Sequence, residues 1–204
     1  MRYDAEHKQR TRSRVLKEAA AAIRAEGPDR IGVAAIMGRA GLTHGGFYAH
    51  FASKDELLVA AIGEMFDTAC AYFEKLSAGK PAGEGLAAYV AFYLSRYHRD
   101  HREEGCPIAT MAADLPRLAP EARVAFEQGA ARLTTLIAGQ LEALGRPDPG
   151  IAAVSLLSEM VGAVVLARSI ADPAHSTAIL RASRQAIRER LGLPLPPAPP
   201  ERDN

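Results

Sequence analysis

The chain has 204 residues, 48% of them apolar, a formal net charge of +1 and two cysteines, Cys70 and Cys106. That is apolar side chain enough for one large core or two small ones, but too few cysteines for a disulfide framework, so a reducing, cytoplasmic setting is expected. No apolar run approaches a membrane span, and the N-terminus lacks the apolar core and cleavage site of a secretory leader.

The elements read in chain order are helices. Residues 11–26 place Val15, Leu16, Ala19, Ala20 and Ile23 at helical spacing, and "EGPDR" ends them. A short helix over 33–40 turns Val33, Ile36, Met37 and Ala40 inward and stops at Gly41. Thr43 is a cap residue for a very short helix over 44–50. Ser53, with Glu56 three residues on, forms a capping-box pattern that opens a long helix over 54–76. "SAGKPAGEG" is a flexible connection. Helices then follow at 86–101, 107–115, 120–144, 149–170 and 173–191, several starting at a proline, which suits the first helical turn. Residues 193–204 form a proline-rich tail, expected to be disordered or extended. Alternating strand patterns are scarce, so the fold class is all-α.

Charge is unevenly spread along these helices. Residues 1–54 carry ten Lys/Arg against five Asp/Glu, and the remainder carries fifteen against nineteen. A basic first quarter suits an anionic partner. Two short helices joined at Gly41 have the shape of a helix-turn-helix, whose second helix lies in the major groove of DNA. Gly45 and Gly46 at the front of that second helix let the backbone approach closely. Phe47 and Phe51, four apart, face the core. Tyr48 and His50 point outward towards phosphate, and Lys54 in the next helix's first turn adds an ammonium to free N–H groups.

The stretches "TRSRVLKEAAAAI" and "VAAIMGRAGLTHGGFYAHFASKDELL" resemble the TetR family of transcriptional regulators over about residues 11–58. That resemblance implies a DNA-binding head over 1–54 and a helical ligand-binding and dimerisation body over 55–192. It implies a homodimeric repressor, without cofactor or catalytic residues, released from a pseudo-palindromic double-stranded operator by a small molecule. By position, Thr43, Tyr48, His50 and Lys54 match phosphate contacts, and His44 and Gly45 match positions that approach bases. Lys8, Arg10 and Arg12 match a basic N-terminal arm. Gly32 stands where the family often has a capping Thr or Ser.

Candidate pocket residues on the body helices are Phe66, Cys70, Phe73, Phe92, Tyr93, Tyr97, Cys106, Met111, Phe126 and Met160. Pro107 places Cys106 at a helix N-cap, where a thiolate is favoured; a repressor switched by oxidation or alkylation of Cys106 is therefore an alternative. His98 and His101, with Glu104 and Cys106 beyond, carry metal-ligand atom types, but charged groups at a helix end are usually solvated, and no metal is assigned. Ile151, Val154, Leu157, Val161, Val164 and Val165, continued by Ile179 and Ile187, form an apolar stripe suited to a four-helix dimer interface. No hydrolase, phosphate-loop or dinucleotide motif is present. A helical ligand-binding protein without DNA binding is the remaining alternative.

Overall fold

The structure, a computed structural model, describes residues 2–195, with side chains from Glu6 onward. Among these residues it is all-helical, with no strand. The helices are α1 (Arg2–Glu26), α2 (Val33–Arg39), α3 (Lys54–Ser77), α4 (Ala82–Tyr93), α5 (Arg96–Asp100), α6 (Pro107–Met111), α7 (Pro120–Ala143), α8 (Pro149–Ser169) and α9 (Pro173–Leu191). Short 3₁₀ turns lie at His44–Ala49, Arg102–Glu104 and Leu115–Arg117.

Local chemistry accounts for most boundaries. Pro107, Pro120, Pro149 and Pro173 open α6 to α9. Gly192, at φ +57, closes α9 in the left-handed region that favours glycine. Ser53 Oγ accepts the Glu56 N–H at 3.0 Å, and Glu56 reaches back to accept the Ala52 N–H at 2.6 Å, so the start of α3 is capped from both sides, with the return bond one residue ahead of the expected capping box.

Three boundaries differ from the sequence reading. α1 begins at Arg2, because the residues ahead of Thr11 include Ala, Glu, Lys, Gln and Arg, good helix formers with no apolar period to reveal them. The helix expected over 86–101 is two helices. Ser95 takes an extended backbone and its hydroxyl accepts the His98 N–H at 3.1 Å, starting α5 afresh. The helix expected over 107–115 stops at Met111, and a separate turn forms around Pro116. Of the tail expected over 193–204, residues 196–204 lie outside the described residues.

The chain divides into two compact units. One comprises the residues up to Thr68 with Arg102–Ala130, and the other comprises Ala69–His101 with the residues from Ala131 on. The first unit's core joins Val15, Ile23, Ile36 and Met37 to Phe47, Phe51, Leu57, Ile62 and Phe66, and reaches Met111 and Ala122. The packing unit around the head is thus larger than residues 1–54, because the first half of α3 turns its apolar face into the same core.

In the second unit α8 packs on α9, burying Ala153, Leu156, Leu157, Met160, Ala163, Val164 and Ala167. By length and composition α8 is apolar enough to cross a membrane, with a mean hydropathy of 2.0 over its best window. This corrects the reading that no such segment exists: Ser155, Ser158 and Glu159 break up its apolar runs but leave its average high.

Candidate nucleic-acid interface

The helix-turn-helix forms as its residues dictate. α2 ends with Gly41 at φ +67, and the backbone then bonds back twice, Leu42 N–H to Met37 O at 2.9 Å and Gly41 N–H to Gly38 O at 3.0 Å. This left-handed C-terminal motif turns the chain sharply into the next element. That element, His44–Ala49, is a 3₁₀ helix and not an α-helix. Thr43 stands at its N-cap, but its hydroxyl makes no capping bond; the Gly46 N–H bonds the Thr43 carbonyl instead. At Gly32 the α2 N-cap likewise has no side-chain bond.

Three of the four rings lie as the spacing predicts, and His50, expected to point outward, is only partly exposed. Phe47 and Phe51 are buried and stacked, with centroids 5.7 Å apart. Tyr48 is 71% exposed, braced edge-on by Phe47 at 5.3 Å. Thr43, His44, Gly45 and Lys54 are exposed, and His50 is half-buried. Burial, then the charges of Lys8 and Arg12, hold the His50 imidazole below its ordinary pKa.

The glycine pair has no intramolecular explanation. Neither Gly45 nor Gly46 has a positive φ. A Cβ built on Gly45 meets nothing within 4 Å, and one on Gly46 meets only Met37 at 3.7 Å and Thr43 at 3.9 Å. The fold would accept side chains at both positions.

Lys8, Arg10 and Arg12 belong to α1 and are not a separate arm. Lys8 and Arg10 are exposed, whereas Arg12 is half-buried, with its guanidinium carbon 4.2 Å from the centroid of the Phe51 ring and Nη2 3.5 Å from Glu56 Oε1.

Arg24 is a residue that the sequence reading missed. It is buried at the end of α1, and its Nε donates to the Glu103 carbonyl at 2.6 Å. Desolvation lowers its pKa, and Cys106, Glu104, Glu103 and Glu64 oppose that shift. A charge at a helical position continuous with Ala20 and Ile23 is indistinguishable in sequence from a solvated one. Cys106 does stand at the N-cap of α6, buried.

The candidate pocket residues fall into both units. Phe66, Cys106, Met111 and Phe126 belong to the first, where Phe66 and Met111 are fully buried core and Phe66 meets Phe126 edge-on at 5.3 Å. Cys70, Phe73, Phe92, Tyr93, Tyr97 and Met160 belong to the second. There the rings form close pairs, with Phe73 4.7 Å from Tyr89, Phe92 4.3 Å from Tyr72 and Tyr93 4.6 Å from His98. An open groove of about 490 Å³ lies elsewhere, beside Leu115, Pro116, Pro120, Arg123 and Val124, and none of the ten lines it. His98 and His101 turn Nδ1 to the carbonyls of Tyr93 and Tyr97, at 2.7 and 3.0 Å.

The proposed dimer stripe also divides. Leu157, Val164 and Ile187 are buried within the chain, a correction: α8 and α9 pack on each other and on α4, and α8 also on α5, so these apolar positions close the chain's own core. Val161 and Ile179 are half-buried. Ile151, Val154 and Val165 are exposed, joined by Leu166, which the stripe omitted.

Comparison with known proteins agrees with this architecture. The sequence model of bacterial regulatory proteins of the tetR family matches residues 15–61, and that of the C-terminal domain of LmrA/YxaF-like transcriptional regulators matches residues 82–185. No curated protein matches by sequence. Among solved structures, reduced E. coli NemR superposes with a TM-score of 0.77 at 20% identity, covering 88% of this chain and 95% of its own. A TetR regulator from Chloroflexus aurantiacus gives 0.77 at 24% identity, covering 92% and 96%, and one from Agrobacterium tumefaciens gives 0.76 at 22%, covering 90% and 98%. With two matched segments that together span most of the sequence and a helix-turn-helix of the expected geometry, this chain belongs to the TetR family of bacterial regulatory proteins and is a DNA-binding transcriptional regulator, not an enzyme.

Proposed function

We propose that the protein is a homodimeric repressor that holds a pseudo-palindromic operator through Thr43, His44, Gly45, Tyr48, His50 and Lys54, with Lys8 and Arg10 beside them, and releases it when a small molecule binds the body. The observation that carries the DNA contact is the glycine pair. Its own fold leaves the space before Gly45 empty, so glycine there suits a backbone laid against a duplex. Gly45→Ala is expected to leave stability unchanged or raised by up to about 1 kcal/mol, while operator affinity falls at least tenfold. Lys54→Ala is expected to weaken binding to all DNA alike and to flatten the salt dependence of log K by about 0.9. Both are read by footprinting and binding titrations on the DNA upstream of the gene at several salt concentrations. Full affinity in Gly45→Ala would remove the proposed contact.

In functional terms residues 1–54 are the head, 55–192 the body and 193–204 a tail. Exposed Ile151, Val154, Val165 and Leu166 on α8 support dimerisation. On α9 the small residues Ala174, Ala178, Ala182 and Ala186, one turn apart, are exposed and permit close helix approach. Val154→Arg is expected to yield a folded monomer in sedimentation, with operator affinity lowered at least a hundredfold because only one half-site is then held at a time.

The paired rings of the second unit, Phe73, Phe92 and Tyr93, favour an apolar or aromatic effector that binds the DNA-released state better than the DNA-competent one. A second reading, release by oxidation or alkylation of Cys106, is supported by the Arg24 guanidinium acting on that thiol. Operator release by a thiol reagent that persists in Cys106→Ser would exclude it.

A further inference from the structure

Beside the start of α7 lies an open groove of about 490 Å³, lined wholly by residues of the first unit. That is the size of a small-molecule site. Leu115 is its buried apolar contact, and Pro116, Pro120 and Val124 add exposed apolar faces. Arg123 and Glu127 complete the α7 wall. They stand one turn apart, yet among the described residues neither side chain has an ion-pair or hydrogen-bond partner. The neighbouring Arg117 is by contrast held by Asp114 at 2.6 Å. The two open charges are not equivalent. Arg123 lies nearer the start of α7, where the helix dipole adds to its positive field, and Glu127 lies a turn further in.

Residues lining the groove alternate with residues of the head's core. Met111, next to Ala112, and Ala122, next to Arg123, belong to the cluster that contains Phe47 and Phe51, and Leu118, Ala125 and Phe126 pack against it. α6 also packs on α1. A ligand seated in the groove therefore bears on elements whose other faces support the recognition turn.

We propose that this groove binds a compact apolar carboxylate, an aromatic or alicyclic acid, with its ring against Pro116, Pro120 and Val124 and its carboxylate on Arg123, and that occupancy lowers operator affinity. This rests on the reading of the protein as an operator-binding regulator, and it places an effector site in the unit that contains the head and not among the paired rings of the second unit. A planar guanidinium takes a carboxylate through two parallel hydrogen bonds. Release follows if the acid binds the DNA-released state better than the DNA-competent one.

The probe is naphthoate, with neutral naphthamide and cationic naphthylmethylamine as controls. Each is titrated into the full chain while the methyl signals of Leu115 and Val124 are followed by NMR, and operator affinity is measured in parallel at constant ionic strength. A ligand of about thirteen heavy atoms in an open groove should bind with a Kd of about 1 mM. Arg123→Gln should weaken the acid about fivefold and Glu127→Gln strengthen it by a similar factor, because each removes one exposed charge. The amine should show the reverse order, and the amide should ignore both changes. Val124→Trp fills the groove from a position already half exposed. It should abolish the Leu115 shift while fold and ligand-free operator affinity are kept. At about 10 mM, naphthoate should lower wild-type operator affinity about tenfold and leave Val124→Trp unaffected.

Naphthoate that shifts the aromatic signals of Phe92 and Tyr93 instead of Leu115 and Val124 would overturn the site. So would an affinity indifferent to both charge changes, or no binding up to about 10 mM. Groove binding without any operator effect would overturn the regulatory step. If wild type bound no DNA while naphthoate still followed the order of the charge variants, the operator reading would fall and the groove would stand as a carboxylate site.

Discussion

Replacing Gly129 by alanine is expected to destabilise the first unit by about 2 kcal/mol or more, a large effect for one methyl group. Gly129 lies on α7, and a Cβ there would fall 2.1 and 2.2 Å from two ring carbons of Phe66 on α3 and 2.8 Å from the Phe66 Cβ. Because the Phe66 Cβ is itself in the way, turning the ring about its first torsion does not relieve the clash. Phe66 is fully buried and held edge-on by Phe126, so α3 and α7 must move apart. The gain in helix propensity, up to about 1 kcal/mol, offsets only part of this. Urea denaturation measures the loss. The same substitution in a Phe66→Ala background should cost less, since the two closest ring contacts are gone and only the approach to the residue 66 Cβ remains. Equal stability of Gly129→Ala and wild type would mean that the two helices are not locked at this point.

The second large effect is a fall in stability on mild acidification, carried by His98. This ring is buried in the second unit between Tyr93 and Phe92, and Nδ1 bonds the Tyr93 carbonyl at 2.7 Å. Its pKa is lowered to about 4, chiefly by burial, with the Arg168 charge adding to the shift and the Tyr93 bond opposing it. The folded state therefore binds the proton more weakly than the unfolded chain, whose histidine titrates near 6.5. Above pH 6.5 the contribution is complete. As pH falls from 6.5 towards 4 the unfolded state gains protons that the folded state does not, and stability drops. Between pH 7.5 and 5 the loss should be about 2 kcal/mol. His98→Phe should be less stable at pH 7.5 but should lack this slope. Denaturant midpoints at several pH values for the two proteins check it, and parallel slopes would place the acid sensitivity elsewhere. Arg168 fixes the adjoining turn, its guanidinium donating to the backbone carbonyls of His98 at 2.7 Å and Arg99 at 3.0 Å.

The head was largely legible before any coordinates. The inward Phe47 and Phe51, the outward Tyr48, the turn at Gly41 and the Ser53–Glu56 cap follow from side-chain spacing and backbone preference within a few residues. The site was legible in kind but not in detail. Arg12 reads in sequence as one more exposed cation beside Lys8 and Arg10, yet it is half-buried with its guanidinium over Phe51. Ser95 reads as a helix interior, although it starts a new one. Leu157 and Val164 read as partner-facing, although they complete the chain's own core, while Leu166 was overlooked on the open face.

What the sequence alone determined is whatever rests on i to i+4 neighbours: helical identity, proline starts, glycine stops, capping, and the motif that carries the family. Tertiary structure decided which apolar faces close on one another and which stay open, where Arg12 and Arg24 lie, and that Phe66 occupies the space over Gly129. Those outcomes depend on residues dozens of positions apart meeting in space, and periodicity along a single helix carries no record of what the other helix brings.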